Sequence, residues 1–120
     1  MSVICVVDDA FAVRKSIANL LKSAHYQPVC FDSGDQFLAS PWRKRAACVL
    51  LDLWMPGMHG QDVQAVLRAD GDTVPVICIS AHATDAMIAR ALEGGAVMFL
   101  RKPFTADALI EALASILMSR

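Results

Sequence analysis

Residues 48–60 read CVLLDLWMPGMHG, in which an apolar run ends at an aspartate and passes into a loop containing proline and glycine. The run Cys48–Leu51 is apolar without alternation, which is typical of a strand that lies in a parallel sheet and is covered on both faces. Four other short apolar runs punctuate the chain at Val3–Val7, Gln27–Phe31, Val76–Ile79 and Ala96–Leu100. The sequence therefore predicts five strands.

Helical patterns fill the intervals between these strands. Apolar residues recur at helical spacing, as at Val13, Ile17 and Leu20 in the first interval. Alternation of strands and helices predicts an α/β fold, a (βα)5 doubly wound parallel five-stranded sheet with right-handed crossovers and helices on both faces. The predicted helix caps are Ser33 in a capping box with Gln36, then Thr84 or Asp85, then Thr105, and the predicted helix ends are Gly71 and Gly94-Gly95.

Length and charge narrow the classes of function. The chain has 120 residues, 56% of them hydrophobic, and a net charge of −1, so we expect one domain over residues 1–120. A near-zero charge without a basic stripe argues against nucleic-acid binding by this domain. The sequence has no apolar run of membrane-spanning length and no recognisable signal peptide, so a cytoplasmic location without membrane contact is expected.

The four cysteines fall in different apolar runs, and none of them forms a CxxC pair. A zinc site or a disulfide framework needs closer or patterned spacing. We therefore expect free, buried thiols that pack as small hydrophobic side chains.

Polar residues follow four of the predicted strands at the point where each strand ends. They are Asp8 and Asp9, Asp52, Ser80 and Lys102. Because the carboxyl ends of parallel strands meet at one edge of the sheet, we expect these side chains to converge. Three carboxylates suit Mg²⁺ better than zinc or copper, which favour His and Cys.

Asp52 is the candidate nucleophile of this cluster, because a carboxylate can attack phosphorus to form an acyl phosphate. Lys102 and the cation would neutralise the phosphoryl oxygens, and the Ser80 hydroxyl could donate to one of them. Taken singly, each residue has a simpler interpretation: Asp8 and Asp9 could cap the first helix, Ser80 could stabilise a turn, and Lys102 could be a solvated loop residue.

The order and spacing of these motifs resemble the receiver domain of two-component response regulators, the CheY-like group. The resemblance extends over essentially the whole chain and implies the strand order 2-1-3-4-5. The motifs that carry it are Val6-Val7-Asp8-Asp9, residues 50–60, Ile79-Ser80-Ala81, Gly95-Ala96, Phe99 and Lys102-Pro103-Phe104.

The resemblance implies a phosphorylation-activated switch rather than a classical enzyme. Asp52 is similar to the phosphoacceptor that takes its phosphoryl group from a sensor histidine kinase or a phosphotransfer protein. Asp9 and Asp52 resemble direct ligands of Mg²⁺, with Asp8 acting largely through water. The backbone carbonyl of Trp54 resembles the third protein ligand, and Mn²⁺ is the expected substitute metal. Lys102 is similar to the phosphate-binding lysine, and its bond to Pro103 is expected to be cis.

Ser80 and Phe99 resemble the switch pair of the family. The Ser80 hydroxyl would move to the phosphoryl group, and the Phe99 ring would move into the space that Ser80 leaves. A plain core aromatic is the other interpretation of Phe99. The sequence is most similar to receivers of transcription regulators with a helix-turn-helix output domain, which is absent from these 120 residues. The implied contact surface, for the output domain or for a phosphorylation-dependent homodimer, consists of the fourth helix, the fifth strand and the fifth helix.

Trp54 and His82 flank the expected phosphoryl site and could change the rate at which the phosphoryl group is hydrolysed. Trp54 stands where smaller, polar or flexible side chains are common, and we hypothesise that its indole shields the acyl phosphate from water. A plain exposed loop aromatic is the alternative. His82 could hydrogen-bond a phosphoryl oxygen or a carboxylate, or it could simply be solvated. His25 and His59 have no partner that the sequence identifies.

Three other functions fit parts of the pattern. A flavin binder on this fold should have a phosphate loop rich in Ser, Thr and Gly after the first strand, where this chain has Asp8-Asp9-Ala10-Phe11. An aspartyl-phosphate phosphatase should have a second aspartate in the place of Trp54. A stand-alone receiver, or an interaction module that works without phosphorylation, is the remaining alternative, although the complete set of site residues argues against the module.

Overall fold

The computed structural model describes residues 1–118, in which strands and helices alternate from β1 to α5. The elements are β1 Val3–Val7, α1 Phe11–Ser23, β2 Gln27–Phe31, α2 Gly34–Ala39, a short 3-10 helix Pro41–Lys44, β3 Cys48–Asp52, α3 Gly60–Ala69, β4 Val76–Ser80, α4 Asp85–Glu93, β5 Met98–Arg101 and α5 Ala106–Met118.

The strands form one parallel sheet in the order β2-β1-β3-β4-β5. This order confirms both the doubly wound fold and the arrangement that the resemblance implied. Val7 of β1 pairs with Leu51 of β3, and Asp52 pairs with Ile79 of β4. The carboxyl ends of the three central strands therefore lie at one level, which is the condition for a shared site there.

The apolar runs of β1, β3 and β4 become strands because both of their faces are covered. Successive side chains of a strand point to opposite faces, so Cys5 and Val7 join one core while Ile4 and Val6 join the other. The first core includes Phe37 of α2 together with residues of α3 and α4, and the second packs against α1 and α5. The two cores therefore cover both faces of the sheet beneath its polar edge.

The helix caps follow the sequence closely. The side chains of Ser33 and Thr105 accept hydrogen bonds from the backbone amides of Gln36 and Ala108, at 3.2 and 3.0 Å. Of the two candidates before α4, Thr84 is the cap, since its hydroxyl accepts from Met87 N–H. The Gln36 side chain accepts from the amide of Asp32 rather than that of Ser33, at 3.4 Å, so its half of the predicted capping box is displaced by one residue.

The predicted bounds of three strands differ from the structure. β3 and β4 each continue through the polar residue that follows the apolar run, Asp52 and Ser80. β5 ends at Arg101 instead of Leu100, and it begins at Met98 instead of Ala96. The reason is that Gly95 has a φ of +106° and the Ala96 amide bonds back to the Ala91 carbonyl, so Ala96 belongs to the turn that ends α4.

The four cysteines are thiols rather than halves of disulfides, as predicted, and Cys5, Cys48 and Cys78 are buried. The expectation of burial is wrong for Cys30, which is exposed because it lies on β2 at the edge of the sheet. Burial raises the pKa of Cys5 and Cys78 to about 12, so both thiols are protonated at neutral pH. Within residues 1–118, no helix is long and apolar enough to cross a membrane.

Candidate functional site

Three carboxylates meet at the carboxyl end of the sheet. One oxygen from each of Asp8, Asp9 and Asp52 lies within 4.8 Å of the other two. Asp8 and Asp52 are buried, whereas Asp9 is exposed at the rim. The three residues that the sequence placed at strand ends are therefore brought together in a pocket with one open side.

Backbone amides fix the orientation of the two buried carboxylates. Ala10 N–H donates to Asp8 Oδ1 at 2.9 Å, and Trp54 N–H donates to Asp52 Oδ1 at 3.2 Å. In each case one carboxylate oxygen accepts a hydrogen bond from the backbone amide two residues further on. This arrangement is the local turn that Asp commonly forms. The second oxygen of each carboxylate remains for contacts within the cluster.

Lys102 supplies the positive charge of the site. Its Nζ lies 2.6 Å from Asp8 Oδ2 and 3.6 Å from Asp52 Oδ2. The backbone N–H of Lys102 donates to the Ser80 carbonyl at 3.0 Å, and the bond to Pro103 is cis, as the resemblance implied. Two central carboxylates and one ammonium thus share the pocket, so an anionic group and a cation can both be bound there.

Burial is the main cause of an elevated pKa at Asp52. Desolvation and the neighbouring Asp8 carboxylate raise this pKa from 3.8 to about 6, while Lys102 and the Trp54 amide act in the opposite direction. At neutral pH Asp52 is therefore mostly ionised but poorly compensated. A divalent cation, or a change that neutralises the Asp52 carboxylate, relieves the repulsion between Asp52 and Asp8.

Ser80 is the last residue of β4 and is almost fully buried. Its Oγ accepts a hydrogen bond from His82 N–H at 3.2 Å, which leaves the hydroxyl proton free to donate elsewhere. Phe99 is half-buried on β5 and packs against the core on the α2–α4 side of the sheet. The two residues of the expected switch pair therefore lie on neighbouring strands, Ser80 on β4 and Phe99 on β5. In the register of these strands, Cys78 pairs with Phe99.

Trp54 and His82 are both exposed beside the pocket. The Trp54 indole stacks on His59, with ring centroids 5.3 Å apart and an angle of 20° between the planes. This partner of His59 was missed from the sequence, because two residues five positions apart in a loop form no periodic pattern. The structure shows no role for His25, which lies outside the site with a φ of +67°.

Gly60 explains why the loop after β3 closes tightly over the site. A Cβ at this position would lie 2.6 Å from the Asp52 carbonyl oxygen and 2.8 Å from Leu53 Cα. The N-terminus of α3 can approach the end of β3 this closely only because residue 60 has no side chain. Gly57, with a φ of +75°, allows the preceding turn.

The donor set fits a hard divalent cation. The cluster offers carboxylate oxygens, and the cluster contains no His or Cys ligand among the described residues. A cation with several waters, held by one or two carboxylates, suits such a half-open pocket. The arrangement can hold a metal, a phosphoryl group and the ammonium of Lys102 around one carboxylate.

Comparison with known proteins places this geometry in a family. The profile of the response regulator receiver domain matches residues 4–114. The chain is 38% identical over 116 residues to the response regulator protein TodT of Pseudomonas putida, which covers 97% of this chain and 51% of TodT. It is 35% identical over 112 residues to the transcriptional regulatory protein TdiR of Thauera aromatica, which covers 93% of this chain and 49% of TdiR.

Among solved structures, the response regulator StyR superposes with a TM-score of 0.89 at 38% identity, over 98% of this chain and 60% of StyR. The chain belongs to the response regulator receiver domain family. It is a receiver domain of two-component signalling, and it spans about half the length of the curated relatives it matches.

Proposed function

We propose that the domain is a phosphorylation-activated switch that accepts a phosphoryl group on Asp52 from a sensor histidine kinase or a phosphotransfer protein. The observation that carries the proposal is the position of the Asp52 carboxylate, 3.6 Å from Lys102 Nζ and within 4.8 Å of Asp8 and Asp9 oxygens. A nucleophilic carboxylate, a metal cradle and a fixed ammonium are the parts that phosphoryl transfer requires.

In the proposed reaction the Asp52 carboxylate attacks phosphorus in line with the leaving group. A bond forms between a carboxylate oxygen and phosphorus as the bond from phosphorus to the donor's imidazole nitrogen breaks, and the imidazole keeps the electron pair. Lys102 stabilises the phosphoryl oxygens, for which its amine must turn from Asp8 toward Asp52. Mg²⁺, or Mn²⁺ in its place, would be held by Asp9, Asp52, the Trp54 carbonyl and, through water, Asp8, and it would neutralise charge on the transferring group.

Two features support a histidine-bearing partner. A groove of about 770 Å³ runs beside the site between α1 and the loop that follows β5. Phe11, at the start of α1, is 67% exposed and could contact a docked helix. The groove and Phe11 both lie next to the Asp52 site. A donor protein docked on them would therefore present its imidazole to Asp52.

The switch itself would follow from the Ser80 hydroxyl turning to the phosphoryl group and Phe99 moving after it. Phosphate must then stabilise the active arrangement more than the inactive one. Leu92 and Val97 are 46% and 52% exposed on α4 and before β5, which supports the α4–β5–α5 surface as the contact for an output domain or for a homodimer formed on phosphorylation.

We also propose that the switch controls a transcription output, since its relative TdiR is named a transcriptional regulatory protein. On this view residues 1–120 are the receiver of a cytoplasmic transcription regulator. The receiver takes part in its own phosphotransfer and dephosphorylation without being an enzyme for other substrates. His82, with its backbone held by Ser80, would tune the phosphoryl lifetime.

The test is labelling with acetyl phosphate or phosphoramidate in the presence of Mg²⁺, followed by intact mass measurement. The wild type is expected to gain one phosphoryl group only when Mg²⁺ is present, and Asp52→Asn is expected to gain none. Asp35→Asn, an exposed acidic residue in the first turn of α2, is the matched control and should label like the wild type. A folded wild-type domain that stays unlabelled would instead favour an interaction module that works without phosphorylation.

A further inference from the structure

The indole of Trp54 and the imidazole of His59 form an exposed stacked pair on the loop that follows Asp52. Their centroids are 5.3 Å apart and their planes are inclined by 20°. Stacked rings attract each other beyond the area they bury. Since the Trp54 residue is 61% exposed, the stack restrains a large side chain that water alone would leave free to change rotamer.

The backbone around the pair is fixed at several points. Trp54 N–H donates to Asp52 Oδ1 at 3.2 Å, so the backbone that carries the indole is fixed directly beside the candidate phosphoacceptor. Gly60 N–H donates to the Leu53 carbonyl at 3.2 Å, which returns the loop to its start and brings His59 against Trp54. The position of the indole is therefore set by His59 on one side and by the Asp52 turn on the other.

The main chain of His59 contacts Asp62 at the start of α3. Asp62 supports the start of α3 with its carboxylate, which accepts a hydrogen bond from the backbone N–H of His59 at 3.0 Å. This bond uses the His59 main chain, so it survives a change of side chain. Substitution of His59 can therefore separate the stack from the Asp62 contact at the start of the helix.

We propose that His59 is a positioning residue for the aspartyl phosphate, because it holds the Trp54 indole at the mouth of the Asp52 site. The inference rests on the proposed phosphorylation of Asp52. In the hydrolysis of the adduct a water oxygen bonds to phosphorus as the bond from phosphorus to the Asp52 oxygen breaks, which restores the carboxylate and releases inorganic phosphate. An indole held beside this path slows the step by restricting the approach of water.

The first test measures how fast the adduct disappears after labelling with phosphoramidate and Mg²⁺ and removal of the donor. Trp54→Ala and His59→Ala are each expected to speed the loss by about twofold to tenfold, the range that an aromatic pair contributes to an equilibrium. His59→Ala should add nothing in the Trp54→Ala background, because His59 acts through the indole. His59→Tyr keeps a ring and should restore the wild-type rate, and Gln61→Ala on the same helix is the control.

The second test needs no phosphoryl group. Trp42→Phe leaves Trp54 as the sole tryptophan of the chain, so its fluorescence anisotropy reports the freedom of the indole. His59→Ala is expected to lower this anisotropy, and His59→Tyr is expected to retain it. A structural effect of His59 on α3 alone would leave the anisotropy unchanged, provided that the variant remains folded by circular dichroism.

Several results would overturn the inference. One is an unchanged lifetime of the aspartyl phosphate in His59→Ala. Another is that His59→Ala speeds the loss of the adduct equally in the wild-type and Trp54→Ala backgrounds. Unchanged anisotropy in His59→Ala would show that the stack does not hold the ring. If the wild type forms no adduct at all, the proposed function fails, and the lifetime role of His59 fails with it even where the anisotropy falls.

Discussion

The ammonium of Lys102 lies 2.6 Å from Asp8 Oδ2 and 3.6 Å from Asp52 Oδ2, so one positive charge compensates two buried carboxylates. Lys102 and Asp8 are 94 residues apart in the chain, and the sheet order alone brings them together. The pair couples the stability of the domain to the chemistry of its site.

Replacement of Lys102 by methionine is expected to lower the free energy of unfolding of the metal-free domain by about 3 kcal/mol, because it leaves a buried carboxylate without its counter-charge. Saturating Mg²⁺ should restore more stability to this variant than to the wild type, since the cation supplies the missing charge. Urea unfolding with and without MgCl₂ measures both effects.

Lys22→Met is the matched control for that experiment, because Lys22 is exposed in the last turn of α1. A surface substitution of this kind changes the free energy of unfolding by about 0.5 kcal/mol or less, and Mg²⁺ should not alter that change. Equal losses in the two variants, or no recovery of Lys102→Met with Mg²⁺, would contradict the role of Lys102 as counter-charge.

The raised pKa of Asp52 predicts how stability depends on pH. The folded group has a pKa of about 6 against an ordinary value of 3.8. Between about pH 4 and pH 6 the folded domain therefore binds more protons than the unfolded chain, and its free energy of unfolding falls as the pH rises. Above that window Asp52 is ionised in both states, and the loss is complete.

Asp52→Asn is accordingly expected to raise the metal-free stability at neutral pH by about 1–3 kcal/mol and to flatten the profile between about pH 4 and pH 6. Urea unfolding across this range, with Asp35→Asn as the exposed control, measures the difference. A stability loss in Asp52→Asn at neutral pH would show that the carboxylate is well compensated in the folded state.

The sequence predicted the fold and the positions of the site residues because both depend on local patterns. An apolar run followed by a polar residue marks a strand end, and parallel order then brings Asp52, Ser80 and Lys102 together. The start of β5 was misplaced because Gly95 extends the turn after α4 into an apolar stretch. The stack of His59 on Trp54 depends on the path of one loop, which residue types alone do not define.

Gly60→Ala tests the close approach of α3 to the phosphoacceptor strand. The new methyl group would lie 2.6 Å from the Asp52 carbonyl oxygen and 2.8 Å from Leu53 Cα. Both contacts are with backbone atoms, so no side-chain rotation relieves them. We expect a loss of about 1–3 kcal/mol in the free energy of unfolding, together with slower labelling of Asp52 by phosphoramidate, because Asp52 must shift.

Gln61→Ala, one residue along the same helix, should change neither stability nor labelling by a comparable amount. Urea unfolding and the labelling time course give the two values for each variant. A Gly60→Ala protein of wild-type stability would show that the loop can open without cost, and the tight closure over the site would then be of no consequence.

Arg101 connects the end of β5 to the loop between β4 and α4. Its guanidinium donates to the Ala83 carbonyl at 3.1 Å, approaches Asp85 Oδ1 at 3.5 Å and lies 6.0 Å from the centre of the Phe99 ring. If Ser80 and Phe99 move on phosphorylation as proposed, this loop must move with them. In that case the contacts of Arg101 would stabilise the arrangement described above relative to the active one.

Arg101→Gln should remove that restraint and speed the labelling of Asp52 by small phosphodonors by about twofold to fivefold, since a weak exposed interaction changes an equilibrium by this factor. Stability should change by less than about 1 kcal/mol because the side chain is 56% exposed. Arg68→Gln is the matched control, because Arg68 also donates to a backbone carbonyl, that of Glu93 at 3.3 Å, but it lies on α3 away from the switch residues. Equal labelling rates in the two variants would mean that Arg101 does not restrain the loop.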